Sequence, residues 1–186
     1  MHKWSVNAQK GQRPSRGSER LKKLAKSLDA LAKKDEIRLR QTREIGALRR
    51  QASVELHTIC ADFVNELNQW LSEIELEFQP AEYHQENFRD DGVNLFQINA
   101  RGRILQIKFE STPTLISTED FRVPYIVSGA IRCFNQQLLE KDLIEEQSLF
   151  YTVEKSERLW RFFDPRTYRT GPFDADYLAG LMEQLV

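Results

Sequence analysis

Histidine and cysteine, the residues that most often bind metals or act as nucleophiles, are rare in this chain. His57 and Cys60 are three positions apart, so on a helix both side chains could reach one metal ion. A structural zinc site needs four such ligands, and no second pair has a suitable spacing. Cys133, with His57 or His84 as its base, is a weak candidate nucleophile because cysteine among apolar residues is usually a small hydrophobic side chain. The sequence therefore predicts no metal site, no cofactor and no cysteine chemistry.

Glu110, Glu154, Lys155 and Lys108 have the residue types of a metal-dependent nuclease site, in which carboxylates hold Mg²⁺ beside a lysine. Glu154 and Lys155 are adjacent, however, and neighbouring residues of a strand point to opposite faces. The chain also has no Gly-rich phosphate loop and no GxSxG or HExxH motif. The sequence therefore favours a non-catalytic protein. A hydrolase or nuclease with a site on a sheet face, tested through Glu110, Glu154 and Arg166, is an alternative.

The densest mixture of aromatic and basic side chains is the segment WRFFDPRTYRT, residues 160–170. Its arginines and Tyr168 could present a surface to phosphate or stack on a base. Alternatively, Trp160 and Phe162 fill a core from one face of a strand while Arg166 helps to close a turn. The second interpretation is favoured, so this segment is predicted to be structural.

The run 18–78 organises the chain because it contains no proline and one glycine, Gly46. Apolar residues in its first part alternate at intervals of three and four, the spacing of a coiled-coil seam. The same frame is apolar again at Ile45, Ala52, Leu56, Ile59, Phe63 and Trp70, and between the two ends it is broken at Asp35, Arg38, Thr42 and Arg49. We predict one continuous helix, with two helices folded back near residues 33–43 as the alternative, because that stretch lacks a turn-forming glycine or proline. The seam residues, predicted to bind a partner, are Leu21, Leu24, Leu28 and Leu31.

The two parts of this helix have apolar stripes of different width. Over residues 52–78 the stripe is wide, which is typical of a helix that packs on a sheet. Over residues 20–34 it is narrow, which is typical of a helix that packs on another helix. Isolated amphipathic helices are marginal in water, so the narrow part needs a partner, either a different protein or a second copy of this chain.

The formal net charge of −1 hides a strong separation of charge along the chain. Residues 1–50 contain 15 Lys and Arg against 5 Asp and Glu, and the remainder contains 12 against 23. Residues 1–17 have too few apolar side chains to form a core, so we predict a disordered basic tail, either a solubilising leader or an arm for an acidic surface. Few acidic residues can pair with the following cations, which favours an external polyanion such as DNA or RNA. The predicted nucleic-acid-binding residues are Arg13, Arg16, Lys22, Lys23, Lys26, Lys33, Lys34, Arg38, Arg40, Arg49 and Arg50.

The remaining residues, 79–186, have the pattern of an antiparallel sheet. Alternating residues on both sides of Arg101-Gly102 predict a hairpin, with Leu105, Ile107 and Phe109 on its covered face. A second hairpin is predicted around residues 155–157, and the segment 136–146 fits either a short helix or a loop. Residues 174–185 predict an amphipathic helix capped by Asp174. The predicted fold is α+β: a long N-terminal helix, five or six antiparallel strands and a C-terminal helix.

The two cysteines have no CxxC spacing, which favours a reducing compartment. No apolar run reaches the ~18 residues of a membrane span, and the N-terminus has no apolar signal region. Its basic, serine-containing start lacks the amphipathic face of a transit peptide. We therefore expect a cytoplasmic protein that does not enter a membrane.

Charge segregation and the leucine seam together predict a non-catalytic interaction subunit of a larger assembly. Its helix would associate with protein, and its basic half would contact nucleic acid. Because the opposite charges of the two parts nearly match, head-to-tail self-assembly without nucleic acid is an alternative. The hydrolase or nuclease described above is the other alternative.

Overall fold

The computed structural model describes residues 16–136, 140, 141 and 144–185, with Arg16 described by its backbone alone. The chain divides into two compact units, residues 1–43 and 44–186. The leucines at 138, 139 and 143, predicted to lie in a helix or a loop, are outside the described residues. The elements in chain order are α1 (Arg16–Asn68), β1 (Glu77–Gln79), β2 (Asn94–Ala100), β3 (Arg103–Ile116), β4 (Tyr125–Phe134), β5 (Glu146–Val153), β6 (Arg158–Asp164), β7 (Arg169–Pro172) and α2 (Ala175–Glu183).

The strands form one sheet in which each strand pairs antiparallel with the next in the sequence. This confirms the predicted α+β class with its long N-terminal helix and its C-terminal helix. The predicted strand number is wrong, because the sheet contains seven strands rather than five or six. The two strands that the prediction lacks are the edge strands β1 and β7, which have 3 and 4 residues.

Helix α1 is a single helix, so the alternative of two helices folded back near residues 33–43 is wrong. It ends at Asn68, ten residues before the predicted end at residue 78. The Asn68 amide donates to the Leu76 carbonyl at 3.0 Å and accepts from the Leu76 backbone N–H at 2.8 Å. These two bonds hold the chain reversal that follows the helix, and β1 begins immediately after Leu76.

The main core lies between one face of the sheet and the two helices. Leu105, Ile107 and Phe109 are buried on this face of β3, as predicted from the alternation of apolar and polar residues. Asp174 caps α2 as predicted, because its side chain accepts from the Tyr177 backbone N–H. The helical residues buried in the same cluster are Ala52, Leu56, Cys60, Phe63 and Val64 of α1 and Leu178, Leu181 and Met182 of α2.

The segment 160–170 is structural, as its favoured interpretation predicted. Trp160 is 2% exposed, and its indole Nε1 donates to the Ala52 carbonyl of α1 at 2.7 Å. Phe162 stacks on Tyr177 of α2 with ring centroids 3.8 Å apart. The Asp164 carboxylate accepts from the Arg166 backbone N–H at 3.0 Å and thereby fixes the turn before β7. The hydrogen bonds that the Asp164 carboxylate accepts from the Arg166 backbone N–H and the Thr167 hydroxyl hold the pKa of Asp164 below its ordinary value.

Both edges of the sheet are poor sites for the addition of another strand. The edge strands are short, and proline follows β1 and ends β7 at Pro80 and Pro172. Short edges with proline offer few backbone groups to an incoming strand. In the described part of the chain, no helix is long and apolar enough to cross a membrane.

Candidate functional site

The leucine seam (Leu21, Leu24, Leu28 and Leu31) lies in the first unit, on α1. Side chains from Glu19 to Arg43 are exposed. The seam leucines are 68%, 55%, 56% and 54% exposed. Their recurrence on the helix places them along one side, so the described residues leave a continuous apolar stripe uncovered.

The basic face consists of the seven exposed cations of α1 between residues 22 and 40. Among the described contacts, none of these side chains makes an ion pair with a carboxylate. At 100° per residue, Lys22, Lys23, Lys26 and Lys33 lie opposite the leucines, whereas Lys34 flanks the seam and Arg38 takes the next d position. The members of the basic face are Lys22, Lys23, Lys26, Lys33, Lys34, Arg38 and Arg40. Of the other predicted nucleic-acid-binding residues, Arg13 lies outside the described residues, as does the side chain of Arg16.

Arg49 has a different environment from the basic face, because it belongs to the second unit and its side chain is partly buried there. Its Nε donates to the Ile126 carbonyl at 3.1 Å, and its Nη2 donates to the Thr112 carbonyl. Burial lowers the pKa of Arg49, and the nearby Asp90 carboxylate partly opposes that shift. The structure therefore places Arg49 as a link from α1 to β3 and β4.

Arg50 is also engaged within the second unit. Its Nη2 lies 2.8 Å from the Asp90 carboxylate, and both side chains are partly exposed. Exposed ion pairs of this kind contribute little to stability, but they do neutralise the cation locally. Arg49 and Arg50 are thus separated from the other predicted nucleic-acid-binding residues, and neither is included in the basic face.

Replacing Arg49 with glutamine is expected to lower the free energy of unfolding by about 1.5–3 kcal/mol, because two carbonyl groups lose a charged donor. Urea denaturation followed by circular dichroism would measure this loss. Lys26→Gln is the matched control, since Lys26 is exposed and makes no ion pair in the described contacts, and it should change stability by less than about 0.5 kcal/mol. Equal stability of the two variants would contradict the linking role of Arg49.

His57, Cys60 and Cys133 pack in or against the core, whereas His84 is exposed. His57 Nε2 donates to the Pro80 carbonyl at 2.8 Å, and its ring packs among three aromatic rings. Burial raises the pKa of the Cys60 and Cys133 thiols, so both are protonated at neutral pH. Among the described residues, no group of three His, Cys, Asp or Glu side chains is arranged to hold a metal ion.

The residues of the hydrolase alternative are not brought together. Glu110 lies within β3 opposite Ser128. Glu154 is in the hairpin before β6, whereas Arg166 follows the other end of β6. A strand of 7 residues separates these two side chains by about 20 Å. They do not form a common site.

A cleft of about 660 Å³ lies beside β4, β5 and α2, and it is lined by Cys133, Arg166 and two glutamates. Its charges are matched locally. Arg166 pairs with Glu145, and Glu146 pairs with Arg132 at 2.5 Å. Charges that are already paired are poor candidates for binding a charged ligand.

The seam and the basic face are thus two surfaces of one helix whose apolar or charged groups the described contacts leave without a partner. Both belong to the same stretch of α1, and Lys22, Lys23, Lys26 and Lys33 lie on the side of the helix opposite the leucines. A scan of protein-family models, a search of curated proteins and a search of solved structures each found no match to this chain.

Proposed function

We propose that this protein is a non-catalytic interaction subunit whose N-terminal helix joins another helix through the leucine seam and contacts nucleic acid through the basic face. The observation that carries the proposal is the exposure, on one helix, of four seam leucines and of cations without ion-pair partners. The second unit, residues 44–186, forms the remainder of the proposed subunit.

The need for a helical partner follows from the energetics of isolated helices. Nucleation is unfavourable, and most of the stability of a protein helix comes from packing its apolar face. The seam leucines are each more than half exposed, so their apolar surface is available for that packing. A second helix on the seam would remove this surface from water and stabilise the helical conformation of residues 20–34.

The preference for a polyanion follows from the charge of the first unit. Residues 1–43 contain 13 Lys and Arg against 4 Asp and Glu. Unpaired cations at this density repel one another, and phosphate groups relieve the repulsion while releasing counterions from the nucleic acid. Four lysines of the basic face offer their side chains on the side of the helix that the seam does not use.

The test is binding of the full chain to a DNA duplex and an RNA duplex at several salt concentrations, followed by fluorescence anisotropy. Binding to either should weaken steeply as salt rises. The slope of log K against log salt is negative, and changing Lys22, Lys23, Lys26 and Lys33 to glutamine should reduce its magnitude by about two to four. Each lost phosphate contact contributes ~0.9 to that magnitude.

The matched control changes four exposed cations of the second unit to glutamine and alters the net charge by the same amount. These cations, Lys108, Arg122, Lys155 and Arg169, make no ion pair in the described contacts. The control should leave the salt slope nearly unchanged. Equal effects of the two variants, or no salt-dependent binding by the wild type, would contradict the nucleic-acid part of the proposal.

Head-to-tail self-assembly is the second candidate, because the units have nearly opposite charges. Residues 44–186 contain 14 Lys and Arg against 24 Asp and Glu, which balances the positive excess of residues 1–43. Such an assembly would form without nucleic acid, would dissociate as salt rises and would be lost in the four-lysine variant. Sedimentation velocity of the protein alone would measure it.

A further inference from the structure

We propose that the partner on the leucine seam is a second copy of this chain, arranged with the two helices parallel. This inference rests on the proposed function and specifies its protein partner. The seam itself is short and uniform: all four of its apolar positions are leucine, and all four are exposed to a similar degree. A uniform seam is complementary to itself.

Among the described residues, no side chain covers the seam. The described residues leave all four leucines exposed. Residues 1–15 lie outside the described part, and by composition their large apolar side chains are limited to Met1, Trp4 and Val6. Three such residues cannot match four leucines distributed over two heptads of a helix. The helix of another chain would supply an apolar stripe of matching length.

The residues flanking the seam favour an identical partner over an oppositely charged one. In a coiled coil the flanking e and g positions carry the charges that select a different partner. Here most flanking residues are small and uncharged, and the charged ones stand at the two ends of the seam. With Leu21 at position a, the e positions are Ala25 and Ala32, and the g positions are Arg20, Ser27 and Lys34. Two copies can therefore approach along the centre of the seam without opposing like charges.

The same flanking residues select the parallel arrangement. In a parallel pair a g residue faces the next e residue of the other helix, so Arg20 faces Ala25 and Lys34 faces Leu39. In an antiparallel pair g faces g, which places Arg20 of each copy near Lys34 of the other. That arrangement opposes two cations at each end of the seam, and like charges at such positions are destabilising. A parallel pair opposes like charges only beyond Leu31, where Asp35 and Arg38 take the next a and d positions, so the pairing ends at the last leucine.

The parallel pair leaves four lysines of the basic face free. Lys22, Lys23, Lys26 and Lys33 fall at positions b, c and f of the heptad, away from the contact between helices. Two sets of these lysines then point outward from one pair. Nucleic acid can be bound while the seam is covered, so the two parts of the proposed function are compatible in one assembly.

The first experiment is sedimentation velocity of the full chain, without nucleic acid, over a wide range of protein concentration. The wild type should change from monomer to dimer as concentration rises. Leu24→Ser should weaken the association at least tenfold, whereas Ile37→Ser, an equally exposed residue outside the seam, should leave it unchanged. A wild type that is monomeric at all concentrations would overturn the proposal, as would equal effects of the two substitutions.

The effect of salt distinguishes pairing through the leucine seam from head-to-tail assembly. Raising salt screens the repulsion between the two basic units, so pairing through the seam should persist or strengthen. Head-to-tail assembly should weaken under the same conditions, and that result would overturn the seam pairing. Salt-dependent binding of nucleic acid by a strictly monomeric protein would overturn the second copy and leave the nucleic-acid part of the proposed function intact.

The orientation is tested by disulfide formation at the ends of the seam. In a parallel pair, Leu21→Cys and Leu31→Cys should each cross-link to itself under mild oxidation with diamide. In an antiparallel pair neither variant would cross-link alone, and only a mixture of the two would do so, which would overturn the parallel arrangement. The wild type is the control, because Cys60 is buried and Cys133 is half-buried.

Discussion

Replacing Gly129 with alanine is expected to lower the free energy of unfolding by about 2–4 kcal/mol, since the new methyl group has no space. Gly129 lies in β4, opposite Phe109 of β3. A Cβ atom at this position would lie 2.4 Å from the Lys108 carbonyl oxygen and 3.0 Å from Phe109 Cβ. The nearest atom belongs to the backbone, so it can move away only by distorting the pairing of β3 and β4. Urea denaturation monitored by circular dichroism would measure the loss.

Gly180 in α2 is the matched control, because a Cβ atom there meets nothing within 4 Å. Gly180→Ala is expected to raise the free energy of unfolding by about 0.5–1 kcal/mol, the usual gain from removing glycine from a helix interior. The same glycine-to-alanine change should therefore lower the free energy of unfolding at position 129 and raise it at position 180. A Gly129→Ala variant as stable as the wild type would show that the sheet adjusts around the added methyl group.

Replacing Trp160 with alanine is expected to lower the free energy of unfolding by about 3–5 kcal/mol. The indole joins three parts of the core: it contacts Phe109 of β3 at a centroid distance of 5.8 Å, Tyr151 of β5 at 5.4 Å, and the Ala52 carbonyl of α1 through Nε1. Truncation removes all three contacts and leaves a cavity between α1 and the sheet. Urea denaturation of the full chain would measure the change.

Trp160→Phe separates the ring from its hydrogen bond. The phenyl ring retains much of the packing against Phe109 and Tyr151 but cannot donate to Ala52. An intermediate loss of about 1–2 kcal/mol is expected. If the phenylalanine and alanine variants were equally unstable, the hydrogen bond rather than the volume of the ring would account for the stability contributed by this residue.

The features predicted well from the sequence are those set by local periodicity. The alternation in β3 identifies the buried face that contains Leu105 and Phe109, and the absence of proline from residue 18 to 78 identifies a long helix. The Asp174 cap is also a local signal, since the carboxylate bonds a backbone N–H three residues away. Local patterns of this kind are visible in the sequence because the interacting groups are close neighbours.

The features missed depend on contacts that are distant in sequence or on strands too short to show a period. β1 contains only Glu77, Phe78 and Gln79, and its residues also fit the preceding helical pattern. β3 continues to Ile116, past Pro113, because its pairing with β4 shifts register in this stretch and an irregular stretch tolerates proline. Pro113, a residue that disfavours strand interiors, therefore conceals this extension in the sequence.

Arg49 shows why the candidate surface could be only partly predicted. By charge it belongs with the cations of the basic face, and nothing in its neighbours distinguishes it from Arg38. Its carbonyl partners lie 63 and 77 residues further along the chain. Arg49 is thus excluded from the candidate surface by tertiary contacts that a local charge pattern does not record.

The packing of α1 against β6 has a consequence for the synthesis of the protein on the ribosome. Ala52 of the helix is made 108 residues before its partner Trp160. At ~5–20 residues per second, about 5–20 s pass between synthesis of the apolar stripe around Leu56 and synthesis of the strand that completes its cover. The sheet can form meanwhile as successive hairpins, because every strand pairs with its neighbour in sequence. During that interval the nascent chain exposes the helix stripe to chaperones and to other nascent chains.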